Sequence, residues 1–220
     1  LEVERARIIL SRLNETLGPV CFHHTELTRF ELLVATILSQ HTNDRNSGRA
    51  FNRLSKAFAI NPRVLARAEE ASVGAAIRVA GLQRQKARAI IALAMVVLER
   101  FGGDLDSVLA LETEEAREAL MSLPGVGPKT ADVVLLFSKG AATFPIDTHI
   151  ARVSRRLGLV QKTAGYEQMR RELQSLFPPE RYGQAHLLLI QLGSSYCRAA
   201  KPLHDACPVR DYCPKLVDCP

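Results

Sequence analysis

The 220-residue sequence predicts an all-α protein, and three observations support this prediction. Apolar residues recur every three or four positions through most of the chain, as they do on the buried face of a helix. Glycine and proline stand between these apolar segments, where helices end. No segment shows the alternation of apolar and polar residues, bounded by hairpin turns, that is typical of strands. The length is sufficient for one large or two small domains with a hydrophobic core.

The first quarter of the chain predicts three helices in succession. Residues 3–17 carry apolar side chains on one face and are followed by a Gly-Pro pair. A strongly apolar helix is expected over residues 29–38, with a threonine before it that can cap it. The polar block 39–44 comes next, either as an ordinary capped turn or as a polar wedge that meets a ligand. A third helix is predicted over residues 45–58.

The rest of the chain continues the same pattern. A short helix is expected to open at Asn61-Pro62, because proline is tolerated in the first turn of a helix. Residues 133–137 are β-branched enough to suggest a strand, but the residues before them begin that segment as a helix. The remaining predicted helices span residues 70–79, 85–101, 113–121, 129–138, 148–157, 166–176 and 182–192.

Residues 123–130, Leu-Pro-Gly-Val-Gly-Pro-Lys-Thr, predict a tight hairpin between two of these helices. The first proline ends one helix, and the second stands where the next helix begins. The two glycines allow backbone angles that other residues avoid, and they leave room for an incoming group. Free N–H groups at a helix start bind anions, and DNA phosphate is an obvious candidate.

Two residues near this hairpin are candidates for chemistry. Lys129 stands at the start of the second helix, where it is either a nucleophile that forms Schiff bases or an ordinary solvated or phosphate-binding lysine. Asp147 precedes a later helix, which it can cap. Its alternative role is a carboxylate paired with Lys129, which takes a proton and stabilises positive charge at a sugar carbon.

Charge and cysteine usage narrow the class of protein. The formal net charge of +6 favours a polyanionic partner without identifying it. No apolar run is long enough to span a bilayer, so we expect no membrane partner. Four of the five cysteines crowd into the last 24 residues, which favours a metal or cluster over disulfides. They are Cys197, Cys207, Cys213 and Cys219.

Four thiolates in a short, turn-rich segment suit either zinc or an iron–sulfur cluster. The Cys-x2-Cys pairs of zinc ribbons are absent, so spacing alone does not choose between the two. Basic residues, Lys201 among them, surround the cysteines. They form either a phosphate clamp or a solvated basic face.

Residues 123–132 together with residues 146–153 resemble the helix-hairpin-helix and Gly/Pro-Asp signature of the endonuclease III family of DNA glycosylases. The resemblance extends from about Phe30 to Cys213, which is most of the chain. It implies a six-helix barrel domain that carries the hairpin, and a second helical domain with an iron–sulfur cluster loop. We expect the first domain at residues 25–139 and the second at residues 1–24 with 140–220.

The resemblance implies a bifunctional DNA glycosylase and abasic-site lyase that removes oxidised pyrimidines from duplex DNA and cleaves the abasic site by β-elimination. Lys129 matches the family's Schiff-base nucleophile, and Asp147 matches its catalytic carboxylate. The alternatives are a monofunctional glycosylase and a non-catalytic protein that binds DNA lesions. The implied partner is double-stranded DNA with damaged bases or abasic sites. We expect a monomer in the cytoplasm of a bacterium or archaeon, or in another DNA-bearing compartment.

The resemblance also implies contacts with DNA. Gly125 and Gly127 match hairpin glycines whose amides hold a phosphate, and Thr130 follows at the helix start. The block at residues 39–42 aligns with a loop whose glutamine fills the gap left by the flipped base, so either Gln40 or His41 has that role here. The candidate for the apolar wedge on the other side is Leu82. Lys201 is a further candidate for a phosphate contact.

A 4Fe-4S cluster is the cofactor that the resemblance implies. The family spacing is Cys-x6-Cys-x2-Cys-x5-Cys, and Cys197, Cys207 and Cys213 fit its first, third and fourth places. His204 occupies the second place. We expect Cys219 to supply the fourth thiolate, because most cluster ligands are thiolates. The alternatives are that His204 ligates iron, and that no cluster is bound.

Overall fold

The computed structural model describes residues 2–20 and 26–214, and within them it contains helices and no strand. The all-α prediction is therefore confirmed. In chain order the helices are α1 (Glu2–Leu17), α2 (Arg29–Ser39), α3 (Asp44–Ala57), α4 (Pro62–Leu65), α5 (Glu70–Ile77), α6 (Gln83–Phe101), α7 (Asp106–Ala110), α8 (Thr113–Met121), α9 (Pro128–Lys139), α10 (Thr148–Arg156), α11 (Tyr166–Leu176) and α12 (Tyr182–Ser195). Short 3₁₀ turns lie at Arg78–Ala80, Pro179–Arg181 and Arg210–Tyr212.

Local sequence explains where many of these helices begin. Thr28 caps α2 and forms a capping box with Glu31, since each side chain accepts from the other's main-chain N–H. Asn61 caps α4 by accepting from the Val64 N–H, and Pro62 occupies the first helical position. These contacts satisfy N–H groups that would otherwise lack partners in the first turn.

The helix boundaries differ from the prediction in instructive places. Helix α7 was not predicted, because five residues are too few to show helical periodicity. Helix α6 begins at Gln83, two residues earlier than predicted, and Leu82 precedes it in the left-handed region with φ of 49°.

Among the described residues, no helix is long and apolar enough to cross a bilayer.

The chain divides into two compact units. One of them, His24–Lys139, is called here the hairpin unit. It contains α2 to α9. Helix α2 lies at its core, with eight of its 11 residues buried. It packs against α3, α6 and α9. A helix that is apolar on nearly every side is expected to lie inside a protein rather than on its surface.

The other compact unit joins Leu1–His23 to Gly140–Pro220 and is called here the cysteine unit. Helix α12 packs against α10 and α1 within it. Its core includes the fully buried Phe144, whose ring contacts the rings of Phe177, Tyr182 and His186. This cluster holds the segment that leads into α10.

Candidate nucleic-acid interface and cysteine pocket

The predicted hairpin is confirmed between α8 and α9. Leu123 and Val126 are buried and fix the turn to the core, and the Val126 N–H donates to the Leu123 carbonyl at 3.1 Å. The Ala131 N–H donates to the Gly127 carbonyl at 3.0 Å, which begins the hydrogen bonding of α9. The hairpin is therefore a rigid turn whose apolar residues point inward.

The two glycines of the hairpin differ in what the protein requires of them. Gly125 has φ of 77°, and an added Cβ would lie 3.1 Å from Ala89 Cβ and 3.3 Å from Ile37 Cδ1. Both the backbone angle and the lack of space require glycine there. An added Cβ at Gly127 would meet nothing within 4 Å. The space beside Gly127 is open to a group from outside the protein.

Lys129 is half-buried in the first turn of α9, where the structure places it as predicted. The residues that follow it turn into the core, and Asp132 is fully buried. The Asp132 carboxylate accepts from Arg117 Nε at 2.9 Å, and Arg117 is itself 7% exposed. Because breaking a buried ion pair is costly, this contact ties α8 firmly to α9 below Lys129. Nothing in the local sequence marks Arg117 and Asp132 as partners, because 15 positions separate them.

Asp147 lies in the cysteine unit as the N-cap of α10, so its capping role is confirmed. Its Oδ1 accepts from the Ile150 N–H at 2.7 Å, and the residue is half-buried. The preceding segment is held on two sides, because His186 Nδ1 lies 3.1 Å from the Pro145 carbonyl oxygen and the Ile146 N–H lies 3.4 Å from a tyrosine hydroxyl. The carboxylate is thus fixed in orientation before any ligand binds.

Gln40 and His41 directly follow α2, and their side chains lie in different surroundings. The Gln40 side-chain amide donates to the Gly125 carbonyl at 3.1 Å and lies 3.4 Å from Thr130 Oγ1. His41 is exposed and has φ of 53°, in the left-handed region. Thr130 is 3% exposed, so a contact between it and DNA would use its main-chain N–H.

Leu82 is an apolar side chain exposed to water. It is 48% exposed and has φ of 49°. A left-handed leucine is unfavourable in backbone energy, and its exposure gives no compensating burial in the free protein. Both features are typical of a residue that is held ready for a ligand.

Three of the predicted cysteine ligands, Cys197, Cys207 and Cys213, are brought together around one pocket in the cysteine unit. His204 lines the same pocket. The three cysteines are free thiols. Burial raises the pKa of the Cys207 thiol, and the two neighbouring cysteines raise it further against an opposing main-chain hydrogen bond. Cys219 lies outside the described residues.

Arg156 binds the rim of this pocket. Its guanidinium lies 3.6 Å from Cys197 Sγ and donates to the carbonyls of Arg198 and Ala199. Its own carbonyl lies 3.6 Å from Cys213 Sγ. Lys201 follows this segment, exposed, with φ of 52°. Arg156 was not among the predicted site residues, because nothing in its local sequence distinguishes it from other helix arginines.

The donor set around this pocket fits an iron–sulfur cluster. Such clusters are held by thiolates on separate irons, and three thiols line this one pocket beside the imidazole of His204. Within residues 2–20 and 26–214, no three His, Cys, Asp or Glu side chains are grouped closely enough to hold one metal ion.

The fold and these features define a class: an all-α protein in which a glycine hairpin presents a lysine at a helix start. Residues 34–179 match the family described as HhH-GPD superfamily base excision DNA repair protein. The chain belongs to this superfamily. This match confirms the family resemblance and the all-α helix-hairpin-helix fold that it implied.

Curated relatives agree with this family. An endonuclease III of Sulfolobus acidocaldarius is 38% identical over 190 residues, which cover 86% of this chain and 83% of the relative. An endonuclease III of Thermotoga maritima is 32% identical over 191 residues, which cover 87% and 85%.

Solved structures agree as well. The protein in a non-covalent endonuclease III–DNA complex matches with a TM-score of 0.86 and 28% identity, over 98% of this chain and 96% of that one. A thermostable thymine-DNA glycosylase matches with a TM-score of 0.80 at 19% identity, over 96% of each chain. The second match concerns the fold alone.

Proposed function

We propose that this chain is a bifunctional DNA glycosylase and abasic-site lyase that removes oxidised pyrimidines from duplex DNA. The observation that carries the proposal is Lys129, half-buried at the start of α9 directly after the open space beside Gly127. Membership of a base-excision repair superfamily supports glycosylase activity. The similarity to an endonuclease III that was solved bound to DNA supports double-stranded DNA as the partner. We expect the protein to act as a monomer.

The proposed chemistry begins when the neutral amine of Lys129 forms a bond to C1′ of the damaged nucleotide. The bond from C1′ to the base breaks, and the base leaves with the electron pair and takes up a proton. The amine then loses a proton, and the bond from C1′ to O4′ breaks as its electron pair leaves on O4′, which takes up a proton, so that C1′ and the lysine nitrogen form a Schiff base. Removal of a proton from C2′ lets the bond from C3′ to oxygen break, so the 3′ phosphate leaves. Water finally hydrolyses the Schiff base and restores Lys129.

Asp147 would supply the negative charge that this sequence of steps requires. A carboxylate held in one orientation can accept the proton that the attacking amine loses. It also stabilises positive charge as it develops at C1′, and this effect is strongest where the group needs no reorientation. The hydrogen bond from the Ile150 N–H provides that fixed orientation.

The contacts of the loop that follows α2, residues 40–43, favour His41 over Gln40 as the residue that fills the gap in DNA. Gln40 already donates to the hairpin, whereas His41 is exposed at the tip of the loop. Leu82 would enter from the other side as the apolar wedge. Inserted side chains of this kind offset the cost of unstacking the flipped nucleotide.

Borohydride reduction tests the proposal directly, because it converts a Schiff base into a stable bond. The wild-type protein is incubated with duplex DNA that contains one abasic site, and the protein–DNA adduct is measured on a denaturing gel. An adduct together with a β-elimination product supports the proposal. Base release from lesion duplexes without an adduct identifies a monofunctional glycosylase. Binding without either product identifies a lesion sensor. A panel of oxidised pyrimidines then defines the substrate.

Substitution of the two hairpin glycines is expected to separate folding from DNA binding. Gly125→Ala places a Cβ against Ala89 at a positive φ, so the free energy of unfolding should fall by about 1–3 kcal/mol. Gly127→Ala meets no protein atom, so stability should change by less than about 0.5 kcal/mol. Binding to an abasic duplex should nevertheless weaken, because the Cβ occupies the space open to phosphate. Chemical denaturation and fluorescence anisotropy measure the two effects. Equal loss of stability in both variants would contradict this distinction.

We further propose that Cys197, Cys207, Cys213 and Cys219 hold a 4Fe-4S cluster, with His204 as the alternative fourth ligand. The group would cross-link the segment after α12, whose three described thiols already line one pocket. Because the unfolded chain does not hold these donors together, binding of the cluster would contribute free energy to folding.

Removal of single donors is expected to identify the fourth ligand. Cys219→Ala should lose most of its iron and the visible absorbance of thiolate-bound iron, while His204→Ala should retain both. The reverse result would assign the fourth position to His204. Iron-free wild-type protein, purified without oxygen, would instead show that no cluster is bound. Iron per chain is measured by a chelator assay beside the absorbance.

A further inference from the structure

Lys86 is a buried cation that neither the sequence signature nor the proposed chemistry uses. It lies in the first turn of α6 and is 4% exposed, and among the described lysines it alone is buried. Burial lowers the pKa of its ammonium group. A buried ammonium is costly unless its hydrogens are satisfied, so its contacts indicate what it is for.

The contacts of Lys86 join the ends of two helical segments. Its Nζ donates to the Leu38 carbonyl at 2.9 Å, in the last turn of α2, and to the Ala80 carbonyl at 3.0 Å, at the end of the first 3₁₀ turn. Helix C-termini carry partial negative charge, which offsets part of the cost of burying a cation. The Lys86 main-chain N–H also donates to the Leu82 carbonyl at 2.9 Å.

The two carbonyls lie shortly before His41 and Leu82, which are the tips of two loops. Leu38 precedes His41 by three positions and Ala80 precedes Leu82 by two. His41 and Leu82 are the non-glycine residues of the hairpin unit that have positive φ among the described residues. Such conformations persist only where surrounding contacts hold them. One ammonium group therefore fixes the distance between the bases of both loops.

Gln40 extends this connection to the hairpin. Its amide donates to the Gly125 carbonyl, so the loop that Lys86 holds at Leu38 is also held against the turn before α9. All of these contacts lie within the hairpin unit. They link the two loop tips to the helix that carries Lys129.

We propose that Lys86 is a positioning residue that sets the spacing of His41 and Leu82 and so controls extrusion of the damaged nucleotide. The inference rests on the proposed function. It predicts that Lys86 matters only where a nucleotide must be extruded from a duplex. Chemistry at Lys129 on a nucleotide that is already unstacked should not depend on it.

The experiment compares two substrates in the Lys86→Met variant, which keeps the side-chain length and removes the donors. Base release from a lesion in duplex DNA should fall by about 10- to 100-fold in single turnover, as a small misplacement distant from the chemistry can cause. Borohydride trapping on an abasic site in single-stranded DNA should stay within about twofold of wild type. Lys56→Met removes an exposed lysine of the same unit and should stay within about twofold on both substrates.

A direct measurement of extrusion accompanies these rates. The fluorescence of a 2-aminopurine next to the lesion rises when stacking is lost, so the rise should be slower or smaller in Lys86→Met. The cycle of Lys86→Met, Leu82→Ala and the double variant should be non-additive, because both changes remove the same step. Losses that multiply would show that Lys86 acts elsewhere.

The remaining outcomes of these experiments also test the role of Lys86. The inference is wrong if Lys86→Met is folded by circular dichroism and its activities on the two substrates fall equally. It is also wrong if neither activity falls. If Lys86→Met is unfolded at the assay temperature, Lys86→Arg replaces it, since it keeps the charge but displaces the two carbonyls. The same difference between substrates is then expected, and its absence overturns the inference. Wild type without an adduct on duplex abasic DNA would refute the proposed lyase, while the fluorescence of Lys86→Met would still test the inference.

Discussion

Lys129→Gln is expected to abolish the borohydride-trapped adduct and to reduce cleavage of an abasic duplex by about 10³-fold or more. Glutamine is close in length to lysine, but its amide cannot form a Schiff base with C1′. The adduct is measured on a denaturing gel, and cleavage is measured as the yield of β-elimination product. Binding to the same duplex should be largely kept, because the hairpin and its buried contacts are unchanged.

Lys139→Gln is the matched control for this experiment. Lys139 is exposed at the other end of α9, where its ammonium donates to the Leu111 carbonyl outside the hairpin. The Lys139→Gln variant should form the adduct as wild type does. An adduct that survives in Lys129→Gln would show that another amine is the nucleophile.

Asp147→Asn is expected to reduce base release by about 10²- to 10⁴-fold, the range for loss of a proton-transferring group. Asparagine also caps helices well, so the hydrogen bond from the Ile150 N–H can be retained and the melting temperature should change little. Asp147→Ala should lose the cap too and cost about 1 kcal/mol of stability. Single-turnover rates and thermal unfolding measure the two effects separately.

Asp104→Asn provides the control for replacing a carboxylate that accepts from a nearby main-chain N–H. Its side chain accepts from the Asp106 N–H at 3.0 Å, which is the same kind of local contact at a position without a proposed catalytic role. Base release by this variant should match wild type. If Asp147→Asn also kept its activity, Asp147 would be a structural cap and the proposed carboxylate would have to be found elsewhere.

The sequence by itself determined most of the helices, the hairpin and the candidate residues for chemistry. These depend on local rules: apolar residues at helical spacing, a threonine or asparagine before a helix, and glycine and proline in a turn. Residues 123–130 could be interpreted as a hairpin because their constraints act between near neighbours. The same holds for Asp147, whose capping partner is only three residues away.

Only the tertiary structure decided which distant residues act together. Gln40 and Gly125 are 85 positions apart, and Lys86 and Leu38 are 48 apart, so no local pattern relates them. Sequence left Gln40 and His41 as equal candidates, because both are polar side chains in one turn. In the structure Gln40 donates to the hairpin and His41 is exposed, a difference that arises only where the packing of α2 against α9 brings Gln40 and the hairpin together.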